Sequence, residues 1–524
     1  MKVLNAKAAT RPKAKKKRPD LVPVLYSSPG SMPGLFCCRC QLEQASSLPE
    51  NADSSPLWRA LANWTDTLAP TWTSRNFSSP DEFGTIDLRS IEWGVVMNSL
   101  LQRVIAGLVR TGNLSITGPD GQRHSFGDGS GDPVHIVINS ARAERAIALD
   151  PMLAAPEAYM DGDLDITQGD TLGLLRIVFQ NMGPGGVDAV WAKAIEAARN
   201  AFRRLHQVNT AGRSKRNVQR HYDLSREFYR LFLDEDMQYS CAYFERPDTS
   251  LEEAQAAKKR HIAAKLKMKP GQSVLDIGSG WGGLGLYLAR TFESEVLGIT
   301  LSTEQHAVAT ERAQAEGLEN HVHFEIRDYR DLSERFDRIV SVGMFEHVGI
   351  NHYRTFFDKC ATLLKPDGVM LLHTIGRSGP PAATSAFIRK YIFPGGYIPA
   401  LSEVMPAVEK TGLVVSDVEV LRLHYADTLK HWRERFLANR TRVLEIYDER
   451  FCRMWDFYLA GSEAAFRWQD LVVFQIQLTR KNDTLPITRG YIEKCEKALA
   501  MHEQPRRTET KKARQPTRTR KIAK

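Results

Sequence analysis

The sequence predicts an α/β protein: an open, mostly parallel sheet covered by helices, preceded by a smaller α+β unit. Three observations predict it. Short apolar runs at 273–277, 295–300, 322–326, 337–342 and 369–374 alternate with helical segments near 284–293, 303–316 and 352–364. That alternation is the pattern of βαβ units in a sheet covered on both faces. The first run, Val274-Leu275-Asp276-Ile277, passes straight into Gly278-Ser279-Gly280-Trp281-Gly282-Gly283 and a helix from near Leu284. Such a turn brings bare backbone N–H groups and a helix N-terminus up to a ligand. Finally, Leu413 to Leu423 and Leu471 to Thr479 read as two further strands that close the sheet.

In chain order, residues 1–79 read as a disordered basic leader. Cys37, Cys38 and Cys40 crowd one segment of it, but no nearby His or second Cys pair completes a zinc site. An accessory domain is expected over 80–182. There Gly112 to Thr117 and His135 to Ile138 read as strands flanking a turn at Gly118-Pro119-Asp120-Gly121. Helical patterns cover Val95 to Val109 and Thr171 to Phe179. Ala155 to Gly162 reads as a turn into a short strand at Leu164-Asp165-Ile166. Residues 183–213 form a helical connection, with Trp191, Ile195 and Phe202 on one side and Arg199, Arg203 and Arg204 on the other. Such a stripe packs on a neighbouring domain or rests on a membrane surface. The large α/β domain follows at 214–482, with cap helices near 427–445 and 448–466. A C-terminal helix and a basic disordered tail complete the chain at 483–524.

Charge narrows the function classes. The net charge of +9 comes from the ends: residues 1–20 net +7 and residues 506–524 net +8, so the body between them nets −6. A mildly acidic body with two basic tails is not a nucleic-acid-binding domain with a charged face. No apolar run reaches the ~18 residues of a membrane-spanning helix. No apolar stretch follows the basic N-terminus, so no secretory signal is expected. Seven cysteines in 524 residues imply no disulfide framework.

The glycine turn formally matches a dinucleotide fingerprint through Gly278, Gly280 and Gly283. That fingerprint expects an acid at the tip of the second strand. Here the strand from Glu295 to Ile299 runs into Thr300-Leu301-Ser302-Thr303-Glu304-Gln305. Neutral donors and acceptors stand where the acid would be. Four segments accompany the turn: Gln238-Tyr239-Ser240-Cys241-Ala242-Tyr243-Phe244 ahead of the sheet, the Thr300 segment, Phe345-Glu346-His347-Val348-Gly349 after the fourth strand, and Leu372-His373-Thr374-Ile375-Gly376 ending the fifth. Ligands bind at strand C-termini in open α/β sheets, so several of these segments converge on one crevice.

Taken together, and with Asn217-Val218-Gln219-Arg220-His221-Tyr222-Asp223 upstream and His424-Tyr425-Ala426-Asp427-Thr428-Leu429 downstream, these motifs resemble the cyclopropane-fatty-acyl-phospholipid synthase family, which includes the mycolic acid cyclopropane synthases. The resemblance covers about 214–480. The 80–182 unit resembles, less specifically, the accessory N-terminal domain of longer bacterial members. The resemblance implies a Rossmann-like S-adenosylmethionine-dependent methyltransferase sheet with a helical cap. It implies S-adenosylmethionine as cofactor, contacted by Asp276, Gly278, Gly280 and Gly282 at the methionine portion. Thr300, Ser302 and Gln305 match the ribose side, and Asp328 and Tyr329 the adenine side. Tyr239 and Ser240 match a further cofactor contact. Ser302 and Gln305 also spell a helix capping box, and both roles can coexist.

The implied chemistry is methylene transfer to a carbon–carbon double bond, a weak neutral nucleophile. Methyl transfer leaves a carbocation on the acyl chain, which aromatic faces can hold. A base then takes a proton from the new methyl and the ring closes. The resemblance implies a bound bicarbonate ion as that base, held by Cys241, Glu346, His373, Ile375 and Tyr425, with Ile375 acting through its backbone. It implies unsaturated phospholipid acyl chains as partners. The location implied is cytoplasmic and peripheral, on the inner face of the cell membrane. A homodimer is left open. One departure stands at Ser462, where many family members carry a cysteine; a covalent role for that cysteine fails here. The rival readings are a lipid C-methyltransferase giving methyl-branched or hydroxylated chains, a non-catalytic lipid-binding protein, and a nucleic-acid methyltransferase. The last lacks both a basic stripe and an acidic-Pro-Pro-aromatic motif.

Overall fold

A computed structural model describes residues 93–182 and 224–503. The expected leader, the 183–213 connection, the Asn217–Asp223 segment and the basic tail lie outside the described residues.

The accessory domain runs α1 (Trp93–Leu108), β1 (Leu114–Thr117), β2 (Arg123–Phe126), β3 (Val134–Ile138), α2 (Ala141–Leu149), α3 (Pro151–Asp161), β4 (Leu164–Gln168) and α4 (Thr171–Met182). Its sheet has the order β2-β1-β3-β4. Two expectations are corrected. The Gly118–Gly121 turn joins β1 to the antiparallel β2, while β3 lies parallel on the other side of β1. The strand Arg-His-Ser-Phe is half exposed and has no buried apolar face to announce it. Ala155–Asp161 is helical rather than a turn. Pro151 opens α3, and Gly162 closes it in the left-handed region at φ 79°. Pro156 forfeits one helix hydrogen bond. Burial offsets that loss, because Pro156, Ala158 and Met160 are all buried.

The large domain begins with α5 (Arg226–Arg230) and α6 (Leu251–Lys265). Ser250 and Glu253 form a full capping box at the start of α6, worth about 1 kcal/mol. There follow β5 (Ser273–Ile277), α7 (Gly283–Phe292), β6 (Glu295–Thr300), α8 (Thr303–Ala315), β7 (Val322–Ile326), β8 (Phe336–Val342), α9 (Tyr353–Leu363) and β9 (Leu364–Arg377). Next come α10 (Leu401–Glu409), β10 (Val414–Leu421), α11 (His424–Ala438), α12 (Arg440–Ile446), α13 (Glu449–Trp468), β11 (Leu471–Thr479) and α14 (Gly490–Glu503). The seven-stranded sheet has the order β10-β11-β9-β8-β5-β6-β7. β11 alone runs against the direction of the other six strands. From β5 the chain winds outward to β6 and β7, then returns to β8 on the other side of β5. That reversal makes the C-terminal ends of β5 and β8 the switch point where such sheets bind ligands.

The cap comprises three helices rather than the expected two, because the chain breaks at Asn439 (φ −102°, ψ 13°). An aromatic cluster joins the cap to the segment ahead of the sheet. In it Phe228, Phe232, Trp432, Trp455 and Tyr458 are buried with Tyr425. The accessory domain docks on α13. Asp456 accepts hydrogen bonds from Thr171 Oγ1 (2.5 Å) and Tyr159 OH (3.0 Å), and Arg453 pairs with Asp165 at 2.8 Å.

The C-terminal helix α14 is fastened to α6 by acids. Glu496 meets His261 Nδ1 at 2.5 Å and Glu503 meets Arg260 at 2.6 Å. His261 Nε2 faces Glu419 of β10 at 2.8 Å, and Lys265 also pairs with Glu419. Burial alone lowers the His261 pKa, but the two carboxylates outweigh it and hold it above 6.5. The same contacts hold Glu419 well below its ordinary value. A base with a raised folded pKa adds stability that is complete below its unfolded pKa and lost as pH rises through the folded one. The depressed acid adds stability above its unfolded pKa, lost as pH falls. The network therefore stabilises most from about pH 4.5 to about pH 6.5. The expected result is a melting temperature that falls more steeply above pH 7 in the wild type than in His261→Asn. Parallel slopes in a pH series of thermal melts would show that His261 is uncharged in the folded state.

Candidate active site

One cavity opens at the C-terminal ends of β5, β6, β7 and β8, enclosing about 160 Å³. Its floor is the glycine turn. Gly278 N–H and Ser279 N–H both donate to Ile299 O, at 2.9 and 3.0 Å, so these groups build the turn. Gly278, Gly280 and Gly282 all have positive φ, at 85°, 55° and 85°. Their surroundings separate them. A Cβ on Gly278 would stand 2.8 Å from Met344 Cβ, and one on Gly282 would stand 2.8 Å from Phe324 Cζ. A Cβ on Gly280 would meet nothing within 4 Å. Gly280 thus faces open space in the cavity, while Gly282 caps α7 against β7 and α8 and does not line the cavity. Asp276, at the end of β5, is 2 % exposed. Burial pushes its carboxyl up to about 7, against the pull of the Lys258 ammonium.

After β6, Thr300 and Gln305 line the cavity and are locked together, Thr300 Oγ1 donating to Gln305 Oε1 at 3.0 Å. Ser302 lies behind them as the N-cap of α8, its Oγ accepting from Gln305 N at 3.3 Å. The Gln305 side chain turns to Thr300, so only half of the capping box forms. After β7, Asp328 accepts from Arg330 Nε and Nη2 at 2.9 and 2.6 Å. Burial alone raises the Asp328 pKa, but this fork and a backbone N–H hold it below the ordinary value. Tyr329 stands beside it, its ring set edge-on to Phe356 at 5.3 Å. Tyr239 and Ser240 form a further wall. The Tyr239 ring stacks on Trp432 at 5.1 Å, and its hydroxyl meets Tyr458 OH at 2.9 Å.

The five residues expected to do chemistry do not line this cavity. Glu346 sits in a short 3₁₀ turn after β8, next to His347, which does line the cavity. Its Oε1 accepts the Ile375 N–H at 2.7 Å, while its buried Oε2 has no partner. Burial pushes the Glu346 carboxyl up to about 7. His373 is two residues before Ile375 on β9. Its Nδ1 faces Gln475 Nε2 at 3.1 Å, and its buried Nε2 has no partner. Burial holds the His373 pKa well below 6.5, so the ring is neutral. Cys241 and Tyr425 join Ile375 in the aromatic cluster of the cap. Burial drives the Cys241 thiol far up, so it stays a thiol, donating to Ala242 O at 3.2 Å.

Sequence reasoning missed Lys258, Met344 and His347 in the lining. Lys258 had a signal. In α6 the residues Gln255, Lys258, His261 and Lys265 recur at helical spacing, and all four are buried. A polar stripe is ordinarily a solvated face, and this one is the reverse.

Residues 209–476 match the family described as mycolic acid cyclopropane synthetase, and residues 101–184 match a domain of unknown function, DUF7884. The chain is 39% identical over 350 residues to cyclopropane-fatty-acyl-phospholipid synthase of Escherichia coli (strain K12), a match covering 66% of this chain and 88% of that protein. It is 33% identical over 402 residues to the tuberculostearic acid methyltransferase UfaA1 of Mycobacterium tuberculosis, covering 74% and 91%. Identity to cyclopropane mycolic acid synthase 1 of the same species is 40% over 265 residues, covering 48% and 92%.

Proposed function

Since the chain belongs to the mycolic acid cyclopropane synthetase family, we propose that it transfers a methylene group from S-adenosylmethionine to the double bond of unsaturated acyl chains in membrane phospholipids, forming cyclopropane fatty acids. The observation that carries this reading is an open cavity over a glycine turn, with two unsatisfied buried polar atoms beside it on Glu346 and His373. Bound S-adenosylmethionine supplies a methyl group on a sulfonium, and bound bicarbonate supplies the base that removes a proton. Thr300, Gln305, Asp328 and Tyr329 hold the nucleoside end, and Tyr239, Ser240, Asp276 and the turn from Gly278 to Gly280 hold the amino-acid end.

The residues present fit a small planar anion that both donates and accepts. His373 Nε2 and Glu346 Oε2 are both buried and without a partner, and an anion that carries a proton can serve both. Ile375 contributes by fixing Glu346, since its N–H is already spent on Oε1. Cys241, held as a neutral thiol, packs and donates rather than attacking. The rings of Tyr425, Trp432 and Phe466 lie close together, Tyr425 being 5.8 and 4.9 Å from the other two. Their faces stabilise positive charge on the acyl chain without quenching it. Each turnover releases one proton and leaves S-adenosylhomocysteine.

The enzyme works peripherally at the cytoplasmic face of the membrane, with the accessory domain contacting lipid. No helix among the described residues is long and apolar enough to cross a membrane. The tuberculostearic acid methyltransferase, matched over 74% of this chain, favours a second reading in which the same cation loses a different proton and the product is methyl-branched. Mass spectrometry separates the two, after incubation of the protein with S-adenosylmethionine, bicarbonate and monounsaturated phospholipid vesicles. The expected product gains one CH₂ and retains no double bond. A gain of CH₂ with a retained double bond would move the function to the second reading, and an added oxygen to a hydroxylated product.

A further inference from the structure

We propose that Lys258 is a positioning residue whose ammonium receives the carboxylate at the amino-acid end of the methyl donor. The inference rests on the donor assignment above and names the group that reads its charge. Lys258 is 1 % exposed, yet it lines the cavity together with Gln238, Ser240 and Asp276. Its Nζ donates to Gln238 Oε1 at 2.7 Å and to Ser240 Oγ at 2.8 Å. An ammonium has three protons, so one is left. Among the described residues no carboxylate oxygen lies within 4.0 Å of it, in contrast to Lys259 and Lys265 on the same helix. Asp234, Asp236 and Asp276 act on it only from beyond that distance, so this buried ammonium keeps a spare proton and no ion-paired carboxylate, and an anion in the cavity it faces would complete it.

The two neutral contacts prepare the wall for that anion. Because Ser240 Oγ accepts from Lys258, its own proton is free to donate. Gln238 is oriented the same way, its Oε1 held by Lys258 and its Nε2 donating to Asp236 at 3.1 Å. One turn earlier on α6, Gln255 Nε2 donates to the carbonyls of Gln238 and Ser240, at 3.3 and 3.0 Å. One face of α6 therefore fixes both the backbone and the side chains of this wall. Asp328 also lines the cavity, with its carboxylate already taken up by the Arg330 fork. The donor's carboxylate is thus set at Lys258, and its nucleoside is left toward Asp328 and Tyr329. Burial brings the Lys258 pKa down to about 8, so the ammonium persists at pH 7.

The test is calorimetric binding of S-adenosylhomocysteine and of its decarboxylated analogue to the full chain and to Lys258→Gln. Glutamine keeps a donor for Gln238 and Ser240 but removes the charge. The wild type is expected to prefer the carboxylate-bearing ligand by about 10- to 100-fold, the range of a charge-assisted hydrogen bond. Lys258→Gln is expected to lose that preference while binding the analogue as the wild type does. A variant that keeps the preference, or that loses both ligands equally, would overturn the proposal and leave Lys258 a scaffold for the wall. A second variant guards against misfolding: Ser240→Ala should reduce the same preference in part, and an unchanged preference there counts against the proposal. A wild type that binds neither nucleoside overturns the donor assignment itself, a different outcome from any of these.

Discussion

Glu346→Gln is expected to lower kcat by about 10²- to 10⁴-fold, the range for loss of a group that handles a proton in the transition state. Affinity for S-adenosylhomocysteine should not change. The separation follows from geometry. Glu346 contributes nothing to the cavity lining, so the donor site stays whole. Glutamine retains an oxygen to accept the Ile375 N–H, which the carboxylate takes at 2.7 Å, so the turn after β8 is preserved. What changes is the second oxygen, buried and unpartnered, which becomes an amide that can neither accept as an anion nor pass a proton. Burial holds this carboxyl at about 7, where it exchanges a proton readily at physiological pH. Single-turnover assays on vesicles with calorimetry on the same samples make the measurement. A loss smaller than about tenfold would remove Glu346 from the chemistry, and a parallel loss of affinity would make it structural.

The sheet was legible because parallel strands buried on both faces read as apolar runs, and β5, β6, β8 and β9 are built of such runs. Elements whose stability comes from tertiary contact were not. β2 carries no buried apolar face, and α3 keeps an internal proline because Met160 and Ala158 are buried around it. The break at Asn439 leaves no signal in a stretch rich in helix formers. At the site, motif order brought the right segments together, but not the division of labour within them. Ser302 takes the capping role that its sequence also spelled and lies behind the lining, and Gly282 caps a helix there too, which the motif did not announce. The stripe from Gln255 to Lys265 inverts the usual rule that charged helical faces meet water. Glu419, Asp417 and Glu496, which neutralise its lower half, come from segments more than 150 residues away. Its upper half, at Lys258, is neutralised by no carboxylate within bonding distance, and that asymmetry is what marks it as part of the site.

The glycine turn gives the sharpest separation of binding from folding. Gly280→Ala is expected to leave the unliganded protein nearly as stable as the wild type and to weaken S-adenosylhomocysteine binding by about 10- to 100-fold, the effect of one methyl forced into a filled site. The backbone cost is modest. At φ 55° alanine sits in the left-handed region, which costs about 1–2 kcal/mol. No protein atom lies within 4 Å of the new Cβ, so nothing must move in the empty protein. The methyl points where the donor must approach the turn. Gly282→Ala has the opposite profile. Its Cβ would stand 2.8 Å from Phe324 Cζ and 2.9 Å from Ala309 Cβ, both buried between α8 and β7. That variant should lose several degrees of melting temperature without ligand, because the packing of α7 on the sheet has to give. Thermal melts with and without S-adenosylhomocysteine read both quantities, since a ligand that binds only the folded state raises the midpoint according to its affinity. Gly280→Ala should melt near the wild type alone and gain little from the ligand, while Gly282→Ala should melt lower alone and still gain. A full ligand-induced rise in Gly280→Ala would mean that the donor does not lie across this turn.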